Sequence, residues 1–155
     1  MALYDLFAQR RQPMHRLVLA LTLVLLFNLS TRAYDSKTAN DDVSAVRSTV
    51  TNYIEGYFTG DAQRMEQTLH PHYLKHVIDA TKPMHEMTRA DVMKAVRSEG
   101  IPDLPSTSKT ERVTVLDVAG DMASAKLVTP GWTDYMTLSK MNGAWKILSV
   151  VQRID

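Results

Sequence analysis

Three histidines lie within one seven-residue stretch, HPHYLKH, and neutral imidazoles are common ligands of metal ions. If residues 73 to 79 form a strand, His72 and His76 share a face but lie roughly 13 Å apart, at about 3.3 Å per residue. Zinc–nitrogen bonds of about 2.0–2.1 Å cannot bridge that distance. His70 could pair with His72, but no carboxylate adjoins them in the sequence to complete a ligand set. We therefore expect no metal site.

His76 is also a candidate general base, because an imidazole pKa of about 6.5 allows proton exchange near neutral pH. The alternative is a polar residue that tunes a binding pocket. The chain has no cysteine, which excludes thiol nucleophiles and disulfides. It has no Gly-rich phosphate loop, Walker motif or G-x-S-x-G elbow, so triad chemistry and nucleotide hydrolysis have no support. We predict no cofactor.

Aromatic and acidic side chains provide candidates for a ligand-binding wall. Tyr53 and Tyr57 are one turn apart on a predicted helix, so both hydroxyls can project along one line. Trp132 and Asp134 lie at the entrance of a predicted strand, where the carboxylate could accept hydrogen bonds from a ring N–H. Together with His76, these residues could stack on and orient a flat ligand. The alternatives are core packing for the tyrosines and a solvated position for Asp134.

Hydrophobic periodicity predicts the helix that carries the tyrosines. Asp41 and Asp42 suit its first turn, near the positive end of the helix dipole, and residues 34–40 are expected to be a flexible lead-in. Its buried face should comprise Val43, Val46, Val50, Tyr53, Ile54, Tyr57 and Phe58.

A second, shorter helix is predicted after Gly60, which supplies a stop, and Asp61, which can cap the next helix. We expect Pro71 to end this second helix, because a proline ring clashes with a continuing helical turn. Its buried residues should be Ala62, Met65 and Leu69.

A third helix is indicated by a capping box, in which Thr88 and Asp91 satisfy each other's backbone N–H groups. Met87 and Val92 can form the accompanying hydrophobic staple. Residues 101–108, IPDLPSTS, contain two prolines and three hydroxyl side chains, so we predict a loop there.

Strands are predicted at residues 73–79 and then in a four-strand meander. Asn142-Gly143 fits a type I′ hairpin turn, because both residues tolerate positive φ. Simple alternation would place Trp145, Ile147, Ser149 and Val151 on one face of the last strand, and Leu148 and Val150 on the other. The meander strands should span residues 111–119, 122–129, 132–141 and 144–154. This arrangement is α+β.

The bulk properties suit one globular domain, since the chain has 155 residues with 45% hydrophobic and 23% charged side chains. The formal net charge is +1. Without residues 1–33, which carry four arginines and one aspartate, 14 basic and 16 acidic residues remain. We therefore expect no nucleic-acid partner, which would need a concentrated basic face.

The N-terminal segment has the pattern of a signal peptide over residues 1–33. Basic residues precede the apolar run LVLALTLVLLFNL, and STRA then offers a cleavage site after Ala33. The run is shorter than the ~20 residues that comfortably span a bilayer. We expect an exported protein, periplasmic or secreted, that meets the membrane only transiently. The alternative is an uncleaved anchor, and translation could start at Met1 or Met14.

Most of the chain resembles a known family. The stretches DVSAVRSTVTNYIEGYFTGDAQRMEQTLHPHYLKHVID, DVAGDMASAKL and DYMTLSKMNGAWKILSVV resemble the lumazine-binding branch of the nuclear transport factor 2-like superfamily. The resemblance covers residues 42–154, and its most specific elements are YFTGD, LHP and TDYMTLSKMNGAWKI. It implies an α+β cone for residues 41–155, in which three helices pack inside a strongly bent antiparallel sheet around a pocket. It also implies a homodimer formed through the sheet.

The resemblance leaves three functions open, because the superfamily includes steroid isomerases, cyclases, dehydratases, non-enzymatic binders and dimerisation modules. The first is a binder of a small, flat, pteridine-like molecule. The second is an enzyme of isomerase, dehydratase or cyclase type. In steroid-isomerase relatives the general base is an aspartate on the first strand. The comparable stretch of this chain offers His76 and Asp79, but no acid aligns with that aspartate unless the alignment is shifted. The third is a non-catalytic dimerisation module with a filled cone.

Overall fold

The computed structural model of the protein describes residues 38–98 and 110–155, and Asp41–Asp155 form one folded unit. Helix α1 runs through residues 38–59, and it is followed by α2 (Ala62–Glu66) and α3 (Arg89–Ser98). The strands are β1 (Leu69–Asp79), β2 (Lys82–Thr88), β3 (Arg112–Ala119), β4 (Met122–Thr129), β5 (Trp132–Met141) and β6 (Ala144–Ile154).

The predicted signal peptide and the predicted loop at 101–108 lie outside the described residues. Within the described ranges, no helix combines the length and the apolar character that crossing a membrane requires.

Helix α1 buries the face that its periodicity predicts, including Val46 and Val50. The chain is already helical at residue 38, so the lead-in predicted for 34–40 extends too far, and Asp42 lies beyond the first described turn. Acidic residues favour a helix start without defining it, and here neighbouring donors bind the carboxylate instead. Lys140 Nζ and Trp145 Nε1 donate to Asp42 Oδ1 at 2.5 and 3.0 Å. These bonds fasten α1 to the β5–β6 hairpin.

Helix α2 begins as predicted but ends earlier. Gly60 adopts a φ of +69° after α1, and the Asp61 carboxylate accepts from the Arg64 N–H at 2.9 Å. The helix stops at Glu66, so Leu69 and Pro71 belong to β1 rather than to the helix. The β1–β6 register is interrupted between residues 69 and 74, so the missing proline N–H removes no ladder bond there.

Six strands form one strongly curved sheet in the order β2-β1-β6-β5-β4-β3, which confirms the α+β fold class. The sheet is antiparallel except between β1 and β6, which pair in parallel. That exception is possible because β1 and β6 are joined through the intervening elements rather than by a hairpin. The meander strands and the third-helix capping box match the prediction, and Thr88 and Asp91 exchange backbone N–H bonds of 2.9 and 3.3 Å.

Strand β2 was not predicted from the sequence. Its segment KPMHEMT is exposed almost throughout, so it lacks the alternation that marks a half-buried strand. Pro83 is disfavoured in the interior of a sheet, although proline is tolerated in an edge strand such as β2. Backbone pairing with β1 decides its conformation.

A β-bulge at Leu148 reverses the alternation of β6. Ile147 and Ser149 pair with consecutive residues of β5, which leaves Leu148 as an extra residue. The predicted grouping of Ser149 and Val151 with Trp145 is therefore wrong, because every residue after the bulge changes face. The residues of β6 that face the helices are Trp145, Ile147, Val150, Gln152 and Ile154.

Candidate functional site

A cavity of about 190 Å³ lies between the helices and the sheet. Its apolar walls come from Ile54, Met65, Met87, Val92, Ala95 and Ile154. Its polar groups come from Tyr53, Tyr57, Lys75, Trp132, Asp134 and Gln152. An apolar surface with a few converging polar groups is typical of small-molecule sites. A cavity of roughly 150 Å³ holds benzene, so this space suits a molecule of about one or two small rings.

Asp134 provides a buried, unpartnered carboxylate inside the cavity. Its side chain is 0% exposed, and neither oxygen has a hydrogen-bond partner among the described residues. Burial raises the pKa of Asp134, while Lys75, Trp132 and Gln152 oppose the rise. The Trp132 indole and Gln152 amide are thus close enough to favour the charged form without completing a hydrogen bond. Buried polar groups are rarely left unpaired, so this carboxylate points to a missing partner.

The position of Asp134 follows from strand pairing. On β5, Trp132, Asp134 and Met136 alternate with outward-facing residues, and Asp134 lies directly opposite Gln152 of β6. Gln152 faces the cavity only because the Leu148 bulge shifts the alternation of β6. The alternation of residues along β6 therefore does not reveal Gln152 as a cavity residue.

Lys75 is a second cavity residue that was not among the site residues predicted from the sequence. It lies on β1 between Tyr73 and Val77, on the face that points toward the helices, and only 9% of it is exposed. Burial lowers the pKa of Lys75, and the charge of Asp134 partly opposes that change. The signal was present in YLKHVID, where Lys75 shares its strand face with two apolar residues.

The tyrosines take different roles in the cavity wall. Tyr53 and Tyr73 are buried with their hydroxyl oxygens 3.3 Å apart, and burial raises the pKa of both phenols, so they stay neutral. Tyr57 is half-buried and packs edge-on against Trp132, with ring centroids 5.9 Å apart. Tyr53, Tyr57, Trp132 and Asp134 therefore meet around one cavity.

His76 and Asp79 lie elsewhere, contrary to the expectation of a base near the cavity mouth. Because Lys75 and Val77 point inward, strand alternation turns His76 outward, where Nε2 lies 3.1 Å from Glu86 Oε1. Asp79 accepts from the Thr81 N–H at 2.8 Å, and this turn does not contribute to the cavity wall.

The other two histidines of the HPHYLKH stretch interact with each other. The His72 N–H donates to His70 Nδ1 at 3.0 Å, and their ring centroids are 5.6 Å apart. Across residues 38–98 and 110–155, no three metal-ligating side chains gather at one point.

A larger groove of about 870 Å³ lies between β1 and α3, but it opens widely to solvent. Its cations Arg89 and Arg97 approach Glu66 at 2.9 and 3.6 Å. The charges of this groove are therefore paired with each other, whereas the Asp134 carboxylate in the smaller cavity has no hydrogen-bond partner among the described residues.

Comparisons with known proteins identify the family and the fold. A family model described as "Putative lumazine-binding" matches residues 41–152. A nuclear transport factor 2-like protein of unknown function from Silicibacter pomeroyi shares 16% identity and a TM-score of 0.63, over 75% of this chain and 98% of that one. A similar protein of unknown function from Shewanella baltica shares 18% identity and a TM-score of 0.60, over 72% and 92%.

A ketosteroid isomerase-like protein from Erwinia carotovora shares 9% identity and a TM-score of 0.52, over 74% of this chain and 97% of that one. At these identities the likeness establishes the fold alone. No curated protein sequence matches the chain. The match over residues 41–152 places the chain in the "Putative lumazine-binding" family, and its fold is that of the nuclear transport factor 2-like proteins.

Proposed function

We propose that the protein binds a small, flat, partly apolar molecule that donates an N–H to Asp134. The unpartnered carboxylate carries this proposal, because burying it without a partner costs free energy that a ligand donor would recover. A pteridine-like heterocycle fits the requirement, since it combines ring N–H groups with a flat aromatic body. The family name supports the same ligand class.

The remaining polar groups suit the edge and the face of such a ring. The Gln152 amide can donate and accept beside Asp134, and Lys75 can donate to a ring carbonyl. Tyr57 and Trp132 offer aromatic surface for the ring. These converging groups also argue against a filled cone that serves only for dimerisation.

Lumazine is the probe that tests this proposal, by isothermal titration calorimetry. We expect binding to the wild-type protein and a loss of about 10–100-fold in Asp134→Asn, since a hydrogen bond to a charged group contributes about 1.5–3 kcal/mol. Asp117→Asn is the matched control, because Asp117 is exposed on β3. Equal lumazine affinity in the wild type and Asp134→Asn would refute the role of Asp134. Absence of lumazine binding would refute the ligand class.

A second candidate function is acid–base catalysis of the isomerase or dehydratase type. One observation favours it: burial raises the pKa of Asp134 and lowers that of Lys75 in the same cavity. Such opposed shifts bring an acid and a base nearer to neutral pH. Cyclohexanone in deuterated water is a suitable probe, with exchange at the carbon next to the carbonyl followed by NMR. Exchange at the uncatalysed rate, or exchange unchanged in Lys75→Met, would count against this function.

We also propose a homodimer formed through the outer face of the sheet. This face presents Tyr135 and Val151, which are 52% and 44% exposed, together with Ile78 and Met122. Large exposed apolar patches often mark protein interfaces. We further propose that residues 1–33 direct export of the protein, because they have the pattern of a signal peptide.

A further inference from the structure

We propose that Lys75 reacts with small aromatic aldehydes to form an imine, so that the cavity captures carbonyl compounds covalently. The inference rests on the proposed function only in that both require the cavity to admit a small ring. The covalent reaction is independent of the N–H donor that Asp134 would recognise.

The position of Lys75 separates it from other lysines in the described part of the chain. Its side chain lines the cavity and is almost fully buried, and no described carboxylate lies within ion-pairing distance of its amine. Lys82, in contrast, is 72% exposed and lies 3.6 Å from Asp79. Lys140 donates to Asp42 at 2.5 Å. Lys75 is therefore the lysine whose amine meets an apolar cavity of aromatic-ring size.

The surroundings of Lys75 favour the nucleophilic, uncharged amine. Burial lowers its pKa, and the charge of Asp134 on β5 partly opposes that change. The phenol of Tyr53, which also lines the cavity, remains neutral, as does that of Tyr73, whose hydroxyl lies 3.3 Å from it. Desolvation in an apolar pocket is a common way to activate lysines that form Schiff bases.

The reaction needs no oxidant or reductant. The neutral Nζ attacks the aldehyde carbon, a C–N bond forms, and the carbonyl π electrons move to oxygen. One amine proton transfers to that oxygen and gives a carbinolamine. The hydroxyl then takes a second proton and leaves as water, while nitrogen loses its remaining proton and the C=N bond forms. Asp134, which lines the same cavity, can protonate the departing hydroxyl as the acid, and the released water can carry the nitrogen proton back to its carboxylate, so aldehyde and amine become imine and water.

Reductive trapping tests the proposal with benzaldehyde and sodium cyanoborohydride at neutral pH. The reagent converts an imine to a stable benzylamine, which peptide mass spectrometry assigns to individual lysines. We expect the adduct on Lys75 in at least about tenfold excess over Lys82, whose exposed amine lies beside Asp79 and does not line the apolar cavity. Adducts on exposed lysines with Lys75 unmodified would overturn the proposal.

Two variants sharpen the experiment. Lys75→Met keeps a long, unbranched side chain and should abolish the cavity adduct, whereas Lys82→Met should leave it unchanged. If Lys75→Met fails to fold, the wild-type peptide map still decides the question. Lumazine titration of wild-type protein that has not been treated with benzaldehyde separates the two proposals. Lumazine binding without a Lys75 adduct refutes the imine alone, and an adduct without lumazine binding refutes the ligand class alone.

Discussion

At the scale of single residues, Asp134 reveals a conflict between stability and binding. Its pKa is raised in the folded protein, so the folded state holds the proton more tightly than the unfolded chain. Below about pH 4, near the ordinary aspartate pKa of about 3.9, both states are protonated and no penalty arises. As pH rises, the unfolded chain ionises first, so Asp134 lowers stability increasingly until pH exceeds its folded pKa.

We therefore predict that Asp134→Asn raises the free energy of unfolding at pH 7 by about 1–3 kcal/mol, because the neutral amide avoids the cost of ionising a buried carboxyl group. The gain should vanish toward pH 3. Urea denaturation of both proteins between pH 3 and pH 7 measures this difference, and Asp117→Asn should show no comparable gain. A less stable Asp134→Asn at pH 7 would mean that Lys75 compensates the buried charge.

The two helix tyrosines should respond differently to loss of a hydroxyl. Tyr57→Phe keeps the ring that packs against Trp132, so stability should stay nearly unchanged while lumazine affinity falls by about 0.5–1.5 kcal/mol. Tyr53→Phe leaves the buried Tyr73 hydroxyl without its neighbour and should destabilise the fold by about 1–3 kcal/mol. Calorimetry and thermal unfolding distinguish these effects. Destabilisation by Tyr57→Phe without any change in lumazine affinity would make Tyr57 a core residue.

At the scale of elements, the β5–β6 turn offers a test of backbone strain. Asn142 and Gly143 have φ angles of 51° and 78°, as a type I′ turn requires. A Cβ at Gly143 would meet no atom within 4 Å, so Gly143→Val measures strain without a clash. We expect a loss of roughly 1–3 kcal/mol in unfolding free energy. Asn142→Gly, which relieves positive φ, should be tolerated, and equal stability of wild type and Gly143→Val would contradict the strain argument.

The bulge at Leu148 determines which of Val150 and Val151 is buried, and simple alternation along β6 would predict the opposite choice. Val150 is fully buried and Val151 is largely exposed on the outer face. Valine and threonine have nearly the same shape, so Val150→Thr should cost about 1–3 kcal/mol through an unpaired buried hydroxyl. Val151→Thr should change stability by less than about 0.5 kcal/mol. Thermal unfolding of the two variants measures these changes in stability. A larger loss in Val151→Thr than in Val150→Thr would contradict the register described for β6.

At the scale of the whole molecule, dimerisation should depend on the outer sheet face. Tyr135→Glu places a charge in the centre of this face and should convert a dimer to a monomer with unchanged circular dichroism. Light scattering after size-exclusion chromatography gives the mass. Thr59→Glu adds the same charge at the exposed end of α1, away from the sheet, and should not change the mass. A monomeric wild-type protein would remove the dimer proposal.

At the same scale, the proposed export predicts where the mature chain begins. The mature chain should begin near Tyr34, because Ala33 is the last small residue before polar sequence. N-terminal sequencing of exported protein would establish the start. Protein recovered from membranes with the Leu17–Leu29 segment intact would instead support an uncleaved anchor.

The sequence by itself determined the features that depend on neighbouring residues. The Thr88–Asp91 capping box, the Asn142-Gly143 turn and the meander strands follow from local hydrogen bonding and backbone preference. The helical spacing of Tyr53 and Tyr57 likewise placed both residues on one line. Such interactions span at most a few residues, so their signals can be read along the chain.

Only the tertiary structure decided which polar groups share the cavity. The direction of Lys75 and His76 depends on which face of β1 the helices cover, and that choice comes from distant packing. Gln152 enters the cavity through a bulge created by pairing with another strand. Whether Asp134 finds a partner depends on side chains remote in sequence. Strand pairing and burial are non-local, so a pattern of neighbouring residues cannot determine them.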